Sequence, residues 1–245
     1  MSESPSTELN IANVLALLAQ GDLDVQGMLP WSSNYTLLAT VRSNGLQGLA
    51  VYKPRRGERP LWDFARGTLC QREVAAYLLN AALGWNLVPP TVLRDGPYGI
   101  GSVQLFIDAD QEAHLFTMQK EGGFESAIEQ LAVFDVLANN ADRKSGHCLK
   151  GNDGRLWAID HGICFHAEPK LRTVLWDYAG KPLRPDILAD LRALRSNLTG
   201  SMAEMFESLL ADDEMRALRR RLDRLIDTGK HPDPGPGRNI PWPPV

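Results

Sequence analysis

Apolar residues recur at two periods along this chain, and the change of period divides it. From Asn10 to Gln20 they stand at 11, 14, 15, 17 and 18, the spacing of a short amphipathic helix, with Gly21 as its stop. From Asp22 to Val51 the period falls to two. Leu23 and Val25 alternate with polar neighbours up to Gly27, Tyr35 to Val41 reads as a second strand, and Leu46 to Tyr52 as a third after a turn at Ser43-Asn44-Gly45. Helical spacing returns from Thr68 to Leu83, with an apolar face at 74, 77, 78 and 81. Val88-Pro89-Pro90 forces extension. Thr91 to Arg94 and Tyr98 to Gln104 then form a hairpin around Asp95-Gly96-Pro97, and the strand runs on through Leu105 and Phe106 to Ile107.

Asp108 to Gly123 reads as a polar linker with an apolar patch at Leu115, Phe116 and Met118. Phe124 to Ala138 is apolar at 124, 127, 128, 131, 132, 134, 136 and 137, which predicts a long, well-buried helix. A polar loop and a short hairpin turning at Asn152-Asp153-Gly154 follow. Three more helices are expected: Pro185 to about Arg195, Met202 to Leu210, and Asp212 to Thr228. The last places acids first and arginines later, which complements the helix dipole. Its arginines, 216, 219, 220, 221 and 224, read as a solvated face, with an anionic-lipid contact as the minor alternative. Residues 231–245 hold six prolines and two glycines, so helix and central strand are excluded. A mobile tail is the expectation, with Trp242 as the residue that could dock it.

Composition narrows the class. The 44% hydrophobic and 23% charged residues are ordinary for a globular protein, and 245 residues suit one two-lobed unit. A net charge of -4 carries no nucleic-acid footprint. Cys70, Cys148 and Cys164 are too few and scattered for a disulfide framework or a zinc site, so reduced thiols in a cytoplasm are expected. The first residues lack a basic region and an apolar run, which argues against a signal peptide, and no stretch approaches the ~20 apolar residues of a membrane span.

The chemistry concentrates in Asp142-Arg143, at the end of the long helix, and Asp160-His161-Gly162, after the short hairpin. Two carboxylates held at the ends of a loop and a strand suit phosphoryl transfer, one addressing the attacking group and the other a metal. These residues resemble the catalytic and metal-binding loops of the phosphatidylinositol 3-/4-kinase-like branch of the protein-kinase superfamily, and in particular the bacterial SCO1664-like proteins, over roughly residues 23 to 165. That branch has Asn five residues after the Asp; here His147 stands there.

The resemblance implies an α+β, two-lobed protein-kinase-like fold. Residues 1–107 would form a strand-rich N-lobe that includes the Glu73 helix, 108–230 a helical C-lobe with the catalytic and metal loops, and 231–245 a proline-rich tail. It implies an ATP-dependent phosphotransferase acting on a hydroxyl of a lipid, a small polyol or a protein. Asp142 would address the acceptor hydroxyl, and Arg143 would brace the loop or neighbour the phosphates. Asp160 would bind Mg²⁺ or Mn²⁺, with His147 as a second ligand better suited to Mn²⁺, or as a structural histidine. Lys53 would hold the phosphates, braced by Glu73. Ser32 and Ser33 would contact phosphate oxygens, and Gln104, Leu105 and Phe106 would meet the adenine. His161 and His166 are expected to be structural. The basic loop with Arg55, Arg56, Arg59 and Arg66 is either solvated or touches an anionic ligand. A nucleotide-binding pseudokinase is the alternative.

Overall fold

The computed structural model describes residues 10–29 and 35–245. Ser32 and Ser33 lie outside the described residues. The chain forms two compact units, Met1–Arg59 with Pro90–Phe106, and Pro60–Pro89 with Ile107–Val245.

The first unit is a helix on an antiparallel sheet. Helix α1 (Ile11–Gln20) starts where the Asn10 side chain accepts the Ala12 N–H at 2.9 Å and stops where the Gly21 N–H returns to Leu17. Strands β1 (Asp22–Met28), β2 (Leu37–Ser43), β3 (Leu46–Pro54), β4 (Thr91–Gly96) and β5 (Gly99–Leu105) assemble in the order β1-β2-β3-β5-β4. Asn44 and Gly45, both at positive φ, make the two-residue reversal between β2 and β3. Val14 and Leu18 of α1 pack over Val41, Ala50, Tyr52 and Val103, the inward positions of the sheet. Gly101 lets β5 lie close to β3: a Cβ there would stand 2.5 Å from the Lys53 carbonyl oxygen.

The second unit holds helices α2 (Leu69–Leu83), α3 (Leu115–Glu121), α4 (Glu125–Ala138), α5 (Pro185–Asn197), α6 (Gly200–Glu207) and α7 (Asp212–Thr228), with a hairpin of β6 (Cys148–Lys150) and β7 (Leu156–Ala158). Helix α2 groups with this unit through its polar residues. Arg72 donates to the Cys164 carbonyl at 2.7 Å and pairs with Glu214 of α7 at 2.5 Å. It is buried almost all round, including Arg72, Glu73 and Asn80, and not along the single face expected.

Three other expectations change. The linker before Gly123 contains α3, because Leu115 and Met118 are wholly buried and fix one helical turn after another. Arg221 is not on a solvated face: it turns inward and donates to the Leu137 carbonyl at 2.8 Å, while Arg216, Arg219, Arg220 and Arg224 are exposed. Residues 231–245 are bound rather than loose. The Asn239 carbonyl accepts from the Thr173 N–H at 3.0 Å and from the Trp176 indole at 2.9 Å. Pro241 is buried, whereas Trp242 is 77% exposed and does not dock the segment. No helix among the described residues is long and apolar enough to cross a membrane.

Candidate active site

Helix α4 delivers the site. It ends at Asn139, whose left-handed backbone (φ 49°) stops the helix. Asn139 then holds the incoming chain from both sides of its amide. Its Nδ2 donates to the His166 and Glu168 carbonyls at 2.8 and 2.7 Å, and its Oδ1 accepts the Lys170 N–H at 2.9 Å. Asn140 accepts the Asp142 N–H on its side-chain oxygen at 2.9 Å and donates to Asp135 at 3.0 Å. Two successive asparagines thus set the loop that carries Asp142.

Arg143 does not reach towards solvent. It is completely buried and paired at 3.1 Å with Asp135, itself completely buried on α4. Its remaining donors go to the Ile159 carbonyl at 2.9 Å, the His147 carbonyl at 3.4 Å and the His161 ring at 2.7 Å. Thr173 adds a hydroxyl to Asp135 at 3.1 Å. One guanidinium therefore ties the Asp142 loop to the Asp160 loop. The Asp135 carboxylate keeps Arg143 protonated despite burial, by raising its pKa against a desolvation penalty that acts the other way.

Asp160 follows β7 with its backbone left-handed (φ 62°) and its side chain 47% exposed. His147 stands beside it, with Nε2 3.5 Å from the Asp160 carboxylate. The His147 Nδ1 faces the Lys144 N–H at 3.5 Å, which leaves Nε2 turned towards Asp160. The next residue, His161, gives its backbone N–H to Glu73 at 3.0 Å. Glu73 is buried, so α2 fixes this loop from behind. His161 packs edge-on against Phe134 at 5.5 Å. His166 donates to the Asp63 carbonyl at 2.8 Å and accepts from the Glu168 N–H at 3.0 Å.

Asp142 is half-buried, and burial raises its pKa above the usual carboxylate range. The Asp160 charge pushes the same way, which reports that the two carboxylates sense each other. Lys144 opposes the shift from 3.2 Å. Lys144, Asp135, Asn139 and Asn140 were not singled out from the sequence. The available signals were a lone acid in an apolar helix, an asparagine pair at its end, and a lysine two residues after the key aspartate.

The remaining candidates lie in the first unit. Lys53 sits half-buried on β3, opposite Ser102 of β5. The Gln104 side chain is buried and donates to the Thr91 hydroxyl at 2.8 Å. The Leu105 and Phe106 N–H groups go to the Pro90 and Leu49 carbonyls at 2.8 and 3.0 Å. Of the basic loop, Arg56, Arg59 and Arg66 are exposed. Within the second unit the end of that loop clasps the chain after the Asp160 loop: Asp63 pairs with Lys170 at 2.8 Å, and Phe64 meets His166 edge-on at 5.1 Å.

The chain is 43% identical to Protein Rv2133c of Mycobacterium tuberculosis, over 93% of this chain and 94% of the relative. It belongs to the family of that protein. No family model matches it. It is 29% identical to Phosphatidylinositol 4-kinase gamma 4 of Oryza sativa and 25% identical to Phosphatidylinositol 4-kinase gamma 2 of Arabidopsis thaliana, over 72% of this chain in each case. The chain spans 34% and 41% of those two plant proteins. Among solved structures, the Helicobacter pylori proinflammatory kinase CtkA is similar with a TM-score of 0.53 at 12% identity, covering 87% of this chain and 94% of that one. The golgi casein kinase is similar with a TM-score of 0.51 at 18% identity, covering 89% and 75%. The fold is therefore the two-lobed, α+β protein-kinase-like fold.

Proposed function

We propose that this chain is an ATP-dependent phosphotransferase that moves the γ-phosphoryl group to a hydroxyl acceptor with the help of a divalent metal. The observation that carries the reading is the buried Arg143, which holds the Asp142 loop and the Asp160 loop in one arrangement on a kinase-like fold. Asp142 takes the acceptor role: its raised pKa suits a group that receives a proton and its carboxylate is partly exposed. Arg143 and Glu73 position the loops, and Lys53 holds the phosphates. Ser32, Ser33 and the backbone near Gln104, Leu105 and Phe106 complete the nucleotide site. The 43% identity to Protein Rv2133c supports a bacterial origin, and the SCO1664-like group is the assignment we favour within that branch.

The residues present fit a metal that arrives with the nucleotide. Among the described residues no group of three or more His, Cys, Asp or Glu side chains could cage an ion. Mg²⁺ in kinases takes one or two carboxylates and completes its shell with phosphates and water. Asp160 and His147, 3.5 Å apart, supply that partial set. When bound, the ion would neutralise charge on the β- and γ-phosphates.

Two plant relatives are phosphatidylinositol 4-kinases by name, which makes an inositol-lipid headgroup the first acceptor to try, ahead of a small polyol or a protein. Three buried free thiols suit a reducing cytoplasm. The test is transfer of labelled γ-phosphate in Mg²⁺ and in Mn²⁺ across these acceptors, beside a thermal shift with ATP. Transfer supports the reading. Binding without transfer to any of them makes the chain a nucleotide-binding pseudokinase.

A further inference from the structure

Ser145 lies in the loop between Asp142 and His147 and has no exposed surface. Its hydroxyl is buried with no hydrogen-bond partner. Its backbone N–H donates to the Pro244 carbonyl at 2.8 Å. A buried N–H that loses its acceptor costs free energy, so this bond constrains the loop. The acceptor comes from the proline-rich segment, far along the chain.

A second attachment lies five residues earlier in that segment. The Asn239 carbonyl accepts from the Thr173 N–H and from Trp176 Nε1. The chain around Thr173 is itself bonded to the Asp142 loop. The Arg143 N–H donates to the Arg172 carbonyl at 3.0 Å, the Val174 N–H donates to the Arg143 carbonyl at 3.2 Å, and Thr173 reaches Asp135. The segment thus grips two neighbouring stretches of the site at once. Asn239 is held in its own turn by bonds from its amide to the Gly235 and Gly237 carbonyls at 2.7 and 3.0 Å. Between the two attachments stand Pro241 and Pro243, and the attachment to Ser145 is itself a proline, Pro244. Proline offers a carbonyl but no N–H, and its fixed φ leaves less freedom to lose on docking. Such a sequence can supply acceptors to the loop without needing donors in return.

We infer that residues 239–244 are a strap that positions the Asp142 loop, and that Asn239 and Pro244 are positioning residues for transfer. The inference rests on the phosphotransferase reading for its effect on rate, but not for its effect on the loop. A displacement of about 1 Å at reacting groups lowers rates on the order of a hundredfold, so a loosened loop has a measurable consequence. Nucleotide binding is assigned elsewhere and is not the strap's work.

The test uses two full-length variants. Pro241→Asp replaces a buried ring with a charge and should expel the strap. Trp176→Phe keeps an aromatic ring, smaller than the indole, and removes one donor to Asn239. Amide exchange followed by mass spectrometry should show the stretch with Ser145 and the stretch with Thr173 losing protection by roughly tenfold or more in Pro241→Asp, and less in Trp176→Phe. Helix α7 should exchange as in the parent, and the ATP thermal shift should be retained. Transfer should fall in kcat with the KM for ATP unchanged. Unchanged Ser145 protection in both variants overturns the strap, and so does faster transfer in Pro241→Asp, which would make the segment a blockade. Loss of Ser145 protection with no transfer in parent or variants supports the strap and rejects the phosphotransferase reading instead.

Discussion

Arg143 and Asp135 form an ion pair at 3.1 Å in which neither side chain has any exposed surface. The arginine beside the key aspartate is therefore not directed at phosphates; it is the internal tie of the site. A buried charge stripped of its partner costs about 3–5 kcal/mol. Asp135→Ala should destabilise the second unit by that order, seen as a lower denaturant midpoint. Asp135→Asn keeps an acceptor for Arg143 and should cost less. Equal stability of all three proteins would show that water or a neighbour replaces the pair.

The two aspartates should separate by task. Asp160→Asn should remove both transfer and the metal-dependent part of the ATP thermal shift, because an amide brings no charge to the ion. Asp142→Asn should bind ATP almost as the parent does, yet lose about 10²- to 10⁴-fold in transfer, the usual contribution of a general base. A thermal shift lost in Asp142→Asn and kept in Asp160→Asn would reverse the assignment.

His147 tests the metal. Oxygen donors suit Mg²⁺ and imidazole suits softer divalent ions. His147→Asn should raise the Mg²⁺/Mn²⁺ ratio of transfer rates. An unchanged ratio would assign the ring to its contacts with the Lys144 N–H and Asp160 alone.

Lys144 should control the acid side of the pH profile. Burial raises the Asp142 pKa, the Asp160 charge adds to the rise, and Lys144 counteracts it. Below its raised pKa, Asp142 is protonated and cannot accept a proton. Transfer should therefore decline at a pH above the ordinary carboxylate range. Lys144→Met removes the cation that favours the ionised form, so this limb should move to higher pH. A limb that stays in place, or moves down, would count against Asp142 as the titrating group.

Lys53 should matter for nucleotide affinity. Lys53→Ala should reduce the rise in melting temperature given by ATP and a divalent metal, while leaving the melting temperature without ATP close to that of the parent. An undiminished ATP shift would remove Lys53 from the phosphate site.

Much of this was readable from apolar spacing. Helix α7 falls at Asp212–Thr228 as expected, and α4 and both lobes' hairpins lie within a few residues of their expected places, because each carries an unbroken period or a two-residue turn signal. Asp142, Asp160 and His147 stand out in the sequence by type and order, and the structure sets His147 3.5 Å from Asp160. The supports stand out less. Asp135 becomes meaningful only once Arg143 is known to turn inward; Glu73 stands out in the sequence as a brace for Lys53, but its bond to a backbone N–H 88 residues away does not. The docking of residues 239–244 uses backbone carbonyls, which leave no trace in side-chain identity. Helix α3 is a seven-residue helix held by two buried side chains, too short for periodicity to establish.

The two units are interleaved along the chain: Pro60–Pro89 belongs to the second and is followed by Pro90–Phe106 of the first. A ribosome releasing this chain has made α2 long before its partners exist. Arg72 must wait for Glu214, 142 residues later. The sheet of the first unit has all its strands after Leu105: β1-β2-β3 and β4-β5 are hairpins of near neighbours, and the β3–β5 pairing joins them across the Pro60–Pro89 stretch. The helical unit begins as an orphaned helix and finishes only when α7 emerges. Contacts of such long separation slow folding and leave apolar surface waiting. For the same reason no single cut in the chain separates the lobes: a split at Arg59/Pro60 strands β4 and β5 away from their sheet, and a split at Phe106/Ile107 takes α2 away from α7.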